Sequence, residues 1–360
     1  CCGTDPGYIR ALAEAVRGIT PKRPAYAPVS AVCSHAETVV IDRVRPIGER
    51  INPTGKKRMK QALQTHEMAY LVSQGLEQVE AGAQILDVNV GLPGLDEAAM
   101  MVEAVQTLQS VLTAPLQIDS SHPEVLEQAL RAYNGVPIVN SVNGEEAVLR
   151  RILPLVKKYG AAVVGLTMDD SGLPRTADER LRLASVILDA ALSLGIPRQD
   201  VYIDCLTLTA SAEQAQAAHT LEAVRRVRGE LGLHTVLGVS NISFGLPSRI
   251  LLNQSFLTMA MQAGLSMPIM NPNQAAMMDA VRSYRVLQGI DVDSQEYIRI
   301  YAQQKREGGK PHIESVHINI EESIMRGLKE ETRQLCTKLL SEKEPLQIVN
   351  EHLIPALDAV

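Results

Sequence analysis

The stretch ILDVNVG, residues 85–91, is an apolar run that ends in a polar cluster. A short apolar run bounded by turn signals reads as a strand buried on both faces. The same form recurs in VVID (39–42), LQIDSS (116–121), PIVNSVNG (137–144), VVGLTMDD (163–170), VYIDC (201–205), TVLGVSN (235–241) and MPIMNPN (267–273). Helix-like segments lie between them, at 60–80, 96–112, 123–132, 145–159, 177–194, 212–231, 248–263 and 274–287. Strands alternating with helices predict an α/β chain with a parallel sheet, and eight such units are enough to close a (β/α)8 TIM barrel. In that architecture the polar C-terminal ends of the strands build the active site.

Outside the barrel, residues 5–17 predict a short amphipathic helix. Residues 19–36, with three prolines and little periodicity, read as a linker. The segment AQQKREGG (302–309) reads as a loop, and from Glu321 onward the chain reads helical. Leu328, Leu335, Leu339 and Leu340 share one face there, and a second helix follows Pro345. The expected organisation is a tail over 1–36, a barrel over 37–290 and a C-terminal helical extension over 291–360. The chain opens on Cys1-Cys2-Gly3 and stops inside a helical pattern, so both ends read as cuts through a longer protein.

With 46% hydrophobic but only 3% aromatic residues, the core must be built from Ala, Val, Leu, Ile and Met. The net charge of -6 gives no reason to expect nucleic acid or an anionic membrane as partner. No apolar stretch is long enough to span a bilayer, and no secretory leader precedes the first run. Five scattered cysteines make no disulfide framework. A reducing cytoplasm is expected, with Cys33, Cys205 and Cys336 as free thiols.

The strand ends are rich in carboxylates and amides and poor in histidine. Glu49 and Asn52 follow the first run; Asp87 and Asn89 end the second; Asp119, Ser120 and Ser121 end the third. Asn140 and Asn143 end the fourth; Thr167, Asp169 and Asp170 the fifth; Asp204 the sixth; Ser240 and Asn241 the seventh; Asn271 the eighth. Such a set suits a flat heterocycle with alternating donors and acceptors, because one carboxylate accepts two parallel N–H bonds from an amino-pyrimidinone edge. Asp, Asn and Ser at strand-to-helix junctions also close turns and cap helices. That alternative is weakest for Asp119, Asn140 and Asp204, each of which directly ends a buried run. No HxH, HExxH or CxxC spacing offers a metal site in the barrel, and no GxxxxGK[ST] offers a phosphate loop.

The strings IGERINPTG, GAQILDVNVG, QIDSS, IVNSVNGE, GLTMDDSGLP, VYIDCLTL and GVSNISFGLPSR resemble, in order and spacing, the pterin-binding barrel of methyltetrahydrofolate methyltransferases. SNISFGLP is similar to the folate module of cobalamin-dependent methionine synthases. Dihydropteroate synthases share the barrel, but their SRK-type motif is replaced here by Ser240-Asn241-Ile242. The resemblance implies methyl transfer from 5-methyltetrahydrofolate, the methyl donor, to cobalamin (cob(I)alamin) held on another corrinoid-binding domain or protein. It implies that Asp119, Asn140 and Asp204 hydrogen-bond the pterin and that Asn241 sits beside the methyl-bearing nitrogen. Asn241, Asp119 and Asp204 are then the catalytic candidates. Glu49, Gly238, Ser240 and Arg249 complete the folate pocket, with Ser243 a weaker candidate. Two alternatives stay open: a free-standing corrinoid protein methyltransferase, and a folate-binding module inactive without its partner domains.

The flanks extend the resemblance. Cys1-Cys2 resembles the end of a homocysteine-binding barrel, where adjacent cysteines help hold zinc; at least one further ligand would lie upstream of this chain. EPLQIVNEHLIPALDAV resembles the first helices of a corrinoid-binding cap, and no DxHxxG string follows. Lys56, Lys57, Arg58 and Lys60 read as a solvated helix start or as attraction for a folate glutamate tail. The methionine pairs in AAMMVEA and NQAAMMDA read as packing.

Overall fold

The computed structural model describes residues 3–22, 27–307, 320–325, 329–341 and 343–358. They fall into two units, 1–297 and 298–360.

The first unit opens with helix α1 (Pro6–Ala15), whose N-terminal N–H groups are capped by the Asp5 carboxylate. A two-stranded hairpin follows, β1 (Ala31–Cys33) and β2 (Thr38–Val40), antiparallel with Val32 opposite Val39. Then come β3 (Ile47–Ile51), α2 (Lys57–Gln64), α3 (Met68–Ala81), β4 (Ile85–Val88), α4 (Glu97–Val111), β5 (Leu116–Asp119) and α5 (Pro123–Ala132). The order continues β6 (Ile138–Asn143), α6 (Glu146–Tyr159), β7 (Ala162–Leu166), α7 (Ala177–Ser193), β8 (Val201–Asp204) and α8 (Ala215–Glu230). It ends with β9 (His234–Gly238), α9 (Arg249–Ala263), β10 (Met267–Met270) and α10 (Ala275–Leu287); α11 (Gln295–Glu307) starts in this unit and continues into the second. Strands β3 to β10 close a parallel barrel in sequence order, β10 pairing with β3.

Both strand faces are buried, which explains the continuous apolar runs. Leu86, Val88, Leu116, Ile118, Val139, Val163, Ile203 and Leu237 face outward into the core shared with the helices. Met100, Met101, Met277 and Met278 pack into that core, as their composition led us to expect. Ile47, Ile85, Ile138, Ala162, Val164, Tyr202, Val236 and Met267 form a separate inner cluster with Val32, Val39 and Ile41 of the hairpin region. Ser30 Oγ donates to Gln199 O and Ser34 Oγ to Thr113 O, both just before strands begin. The hairpin therefore plugs the N-terminal end of the barrel, and the C-terminal end is left as the mouth.

Four local expectations need correction. VVID is not the first barrel strand: Val39 and Val40 belong to the plugging hairpin, and the barrel opens with IGERI, residues 47–51. That strand carries Glu49 and Arg50 because its upper half reaches the mouth, and a register shift between Gly48 and Ile51 turns Ile51 into the outer core. The supposed linker over 19–36 contains β1. The helix expected over 60–80 is two helices, broken where His66 takes a left-handed backbone (φ 53). The loop expected at 302–309 is helical as far as Glu307, in keeping with the strong helix formers of AQQKRE.

The second unit contains helices Ile320–Met325, Lys329–Leu339, Pro345–Ile348 and Ile354–Asp358, the last two joined by a π-helical turn, Val349–Leu353. Ile320, Ile348 and Ala356 are its buried apolar residues among those described, and Glu321 accepts from His352 Nδ1 at 2.5 Å. Leu335 and Leu339 are half-buried and Leu340 is exposed; Leu328 lies outside the described residues.

Candidate active site at the barrel mouth

Strand alternation decides what the mouth contains. Side chains two residues apart share a face. Two residues beyond the inner apolar positions Ile47, Ile85, Ile138, Tyr202 and Val236 stand Glu49, Asp87, Asn140, Asp204 and Gly238. Asp119 lies in register with Asn140, and Asp87 with Gln117. The mouth thus carries carboxylates and amides above an apolar floor.

On one wall Asp87 is buried, accepting from Gln117 Nε2 at 2.6 Å and from Asn140 Nδ2 at 3.5 Å. Burial, then the neighbouring charge of Asp119, push its carboxyl well above the usual carboxylate range. Asp119 accepts from Asn89 Nδ2 at 3.0 Å. Burial raises Asp119 to about 6, against the pull of that hydrogen bond. The cleft beside it, about 190 Å3, is lined by Asp119, Ser120, Asn140, Asn143 and Leu166. Ser120 Oγ donates to Glu97 Oε1 at 2.6 Å, and His122 stands 3.7 Å from the other oxygen of Glu97.

On the opposite wall Asp204 ends β8. Its Oδ1 accepts the Leu206 N–H at 2.7 Å, across a turn in which Leu206 is left-handed (φ 60). No described residue pairs with its other oxygen. Burial raises this carboxyl to about 7. Glu49 accepts from Ser240 Oγ at 3.2 Å, and burial raises it against the positive charge of Lys56. Lys56 Nζ donates to Glu49 O at 2.9 Å, which separates it from the exposed Lys57, Arg58 and Lys60.

The turn after β9 supplies the rim. Val239–Ser243 form a short 3-10 turn. Arg249 Nη2 donates to Ser240 O at 2.8 Å and its Nε to Ser243 Oγ at 2.9 Å, while its guanidinium lies 4.5 Å from the Phe244 ring centre. Asn241 is exposed at the opening. A Cβ on Gly238 would lie 2.9 Å from Asn241 Nδ2, so the glycine makes room for that amide.

Glu49, Asp119, Asn140 and Asp204 therefore share the mouth, and Gly238, Ser240, Asn241 and Arg249 form one edge of it. Asn52, Asn143, Asp169 and Asn271 each accept a backbone N–H two residues on and close turns. Asp87 and Asn89, which the strand-end pattern names but the expected folate pocket does not include, join the site through Asn140 and Asp119. Gln117, which the pattern misses, lies in phase with Asp119 two residues on and donates to Asp87. Cys1 and Cys2, expected to hold zinc, lie outside the described residues, among which no His/Cys/Asp/Glu group could hold a metal ion. No described helix is long and apolar enough to cross a membrane. Cys33, Cys205 and Cys336 are free thiols.

The acceptors match a heterocycle edge that presents N–H groups. Asp119 and Asp204 each keep one oxygen without a protein partner among the described residues, over a floor formed by inner-cluster residues such as Tyr202 and Val164.

Comparison with known proteins gives the family. The model of the pterin binding enzymes matches residues 48–271. The chain is 31% identical over 398 residues to a methionine synthase of Mycobacterium tuberculosis, covering 100% of this chain and 33% of that protein. It is 30% identical over 267 residues to the methylcorrinoid:tetrahydrofolate methyltransferase of Eubacterium limosum, covering 72% of this chain and 96% of that one. It spans a third or less of the two mycobacterial methionine synthases it matches. A dihydropteroate synthase of Xanthomonas albilineans superposes with a TM-score of 0.58 at 22% identity, over 73% of this chain and 100% of that chain, a likeness of fold alone.

Proposed function

The chain belongs to the pterin-binding enzymes, and from that premise we propose that it is a methyltransferase carrying the methyl group of 5-methyltetrahydrofolate to a corrinoid, as the folate module of a methionine synthase. The observation that carries this is the pairing of Asp119 and Asp204 across the mouth, each with a free oxygen and raised to about 6 and about 7. An ionised carboxylate accepts two N–H bonds from an amino-pyrimidinone edge, and Asn140 supplies a further amide contact. A tertiary amine leaves poorly, so its nitrogen must gain proton character as the methyl departs. Carboxyls that titrate near neutrality can hold that proton nearby, and Asn241 orients it or hydrogen-bonds the developing product. The corrinoid, held by another domain or protein, supplies the nucleophile. Arg249 keeps the Ser240–Asn241 turn in place through its bond to Ser240 O.

The same proposal assigns residues 1–36 to the end of a homocysteine-binding domain and 291–360 to the approach to a corrinoid cap. Zinc at Cys1 and Cys2 would require a ligand upstream. A reducing cytoplasm is part of the proposal, supported by the three free thiols among the described residues. A second reading, a free-standing corrinoid protein methyltransferase, is favoured by one observation: the Eubacterium limosum relative is matched over 96% of its length by 72% of this chain.

The test is to mix the purified chain with 5-methyltetrahydrofolate and chemically reduced cobalamin and to follow the corrinoid spectrum. Methylation at a rate proportional to enzyme supports the proposal. Folate binding without transfer means a binding module that needs its partners, and neither binding nor transfer overturns it.

A further inference from the structure

Arg180 on α7 is the bulkiest fully buried side chain in the described structure, at 0% exposure, and no carboxylate pairs with it among the described residues. Burying a charge with no carboxylate beside it is costly, so plain packing is better served by Leu or Met. Its hydrogen bonds show where the cation is used. Nε donates to Cys205 O at 2.8 Å, Nη2 to Gln216 Oε1 at 2.9 Å and Nη1 to Thr176 O at 3.3 Å. Gln216, itself buried, passes its amide on to Arg175 O at 3.2 Å. Cys205 directly follows Asp204, and the next residue, Leu206, turns its N–H back onto Asp204 Oδ1 at 2.7 Å. Leu206 O is held in turn by Thr220 Oγ1 of α8 at 2.9 Å. Leu206 sits at φ 60, a backbone region costly for a branched side chain that persists only where the surroundings hold it.

We propose that Arg180, with Thr220 on the neighbouring helix, is a positioning residue that fixes the Cys205–Leu206 turn and thereby aims the free oxygen of Asp204 into the mouth. Arg180 touches neither substrate nor reacting atoms; it acts through the Cys205 carbonyl, as Thr220 acts through that of Leu206. The inference rests on the proposed role of Asp204 as a pterin acceptor.

The test reads the turn and the ligand separately. In Arg180→Met, amide exchange at Leu206 should speed at least tenfold relative to amides of β4, and the Kd for 5-methyltetrahydrofolate should rise about tenfold. Arg180→Lys, which keeps a cationic donor, should recover part of both. Thr220→Val removes only the bond to Leu206 O and should move both readouts the same way more weakly; it decides the matter if Arg180→Met does not fold. Unchanged relative exchange at Leu206 in the folded variants, or faster exchange with unchanged folate binding, overturns the positioning role. Wild-type protein that fails to bind folate, while Leu206 still responds, overturns the functional reading and not the clamp.

Discussion

Asp204→Asn should separate function from stability. The substitution keeps an oxygen for the Leu206 N–H, now at 2.7 Å, so the turn survives. It removes a carboxyl that burial has raised from 3.8 to about 7. Because the folded state binds this proton more tightly than the unfolded chain, stability falls as pH rises between about 4 and 7. A shift of about three pH units, at about 1.36 kcal/mol each, sets a ceiling near 4 kcal/mol. Water at the mouth reaches Asp204, so we expect about 1–2 kcal/mol of added stability at pH 8, a rise of a few degrees in Tm. Below about pH 3 the gain should vanish, since the wild-type carboxyl is then protonated in both states. Ligand binding moves the other way. Losing one of two N–H acceptors, with a donor put in its place, costs about 2 kcal/mol, or roughly 30-fold in Kd. In the wild type, affinity should climb as pH rises towards about 7 and then level; the variant should lose that component of the rise. Thermal melts at the two pH values and a folate titration decide it. A lower Tm at pH 8, or an unchanged Kd, would refute the reasoning.

Asn241→Ala should lower kcat about tenfold or more while KM moves within about threefold, because the amide acts in the transition state more than in binding; steady-state transfer kinetics check this, and an effect on KM alone would contradict it. Gly238→Ala, at a backbone φ of -72 that alanine accepts, should push on the Asn241 amide 2.9 Å away and lower turnover with Tm unchanged. Tyr202→Phe removes a buried hydroxyl that has no partner among the described residues, so chemical denaturation should show unchanged or slightly higher stability, by about 1 kcal/mol at most.

Much of the barrel is legible because its strands are buried on both faces and two of its helices open on side-chain caps, at Asp96 and at Thr176 with Glu179. The first strand is not, because IGERI carries Glu49 and Arg50 where the other strands are still apolar, while the hairpin that plugs the barrel looks like a strand of it. The helix break at His66 depends on a left-handed residue that no glycine announces. In the site, Asp119, Asn140 and Asp204 stand out because each ends a buried run. Asp87 and Asn89 end their run too, but the resemblance gives them no role, and it is the hydrogen bond from Asn140 Nδ2 that ties Asp87 to the expected pocket. Arg180 is invisible to motif reading: its role depends on the Cys205 carbonyl, just past a strand end and 25 residues away in sequence.

The most direct measurement is a crystal structure of the chain with 5-methyltetrahydrofolate bound. The pterin should lie in the barrel mouth, its N–H edge on the carboxylates of Asp119 and Asp204 and its methyl-bearing nitrogen beside Asn241. A pterin seated elsewhere, or in the mouth with neither carboxylate in hydrogen-bond contact, would contradict the site and the chemistry built on it.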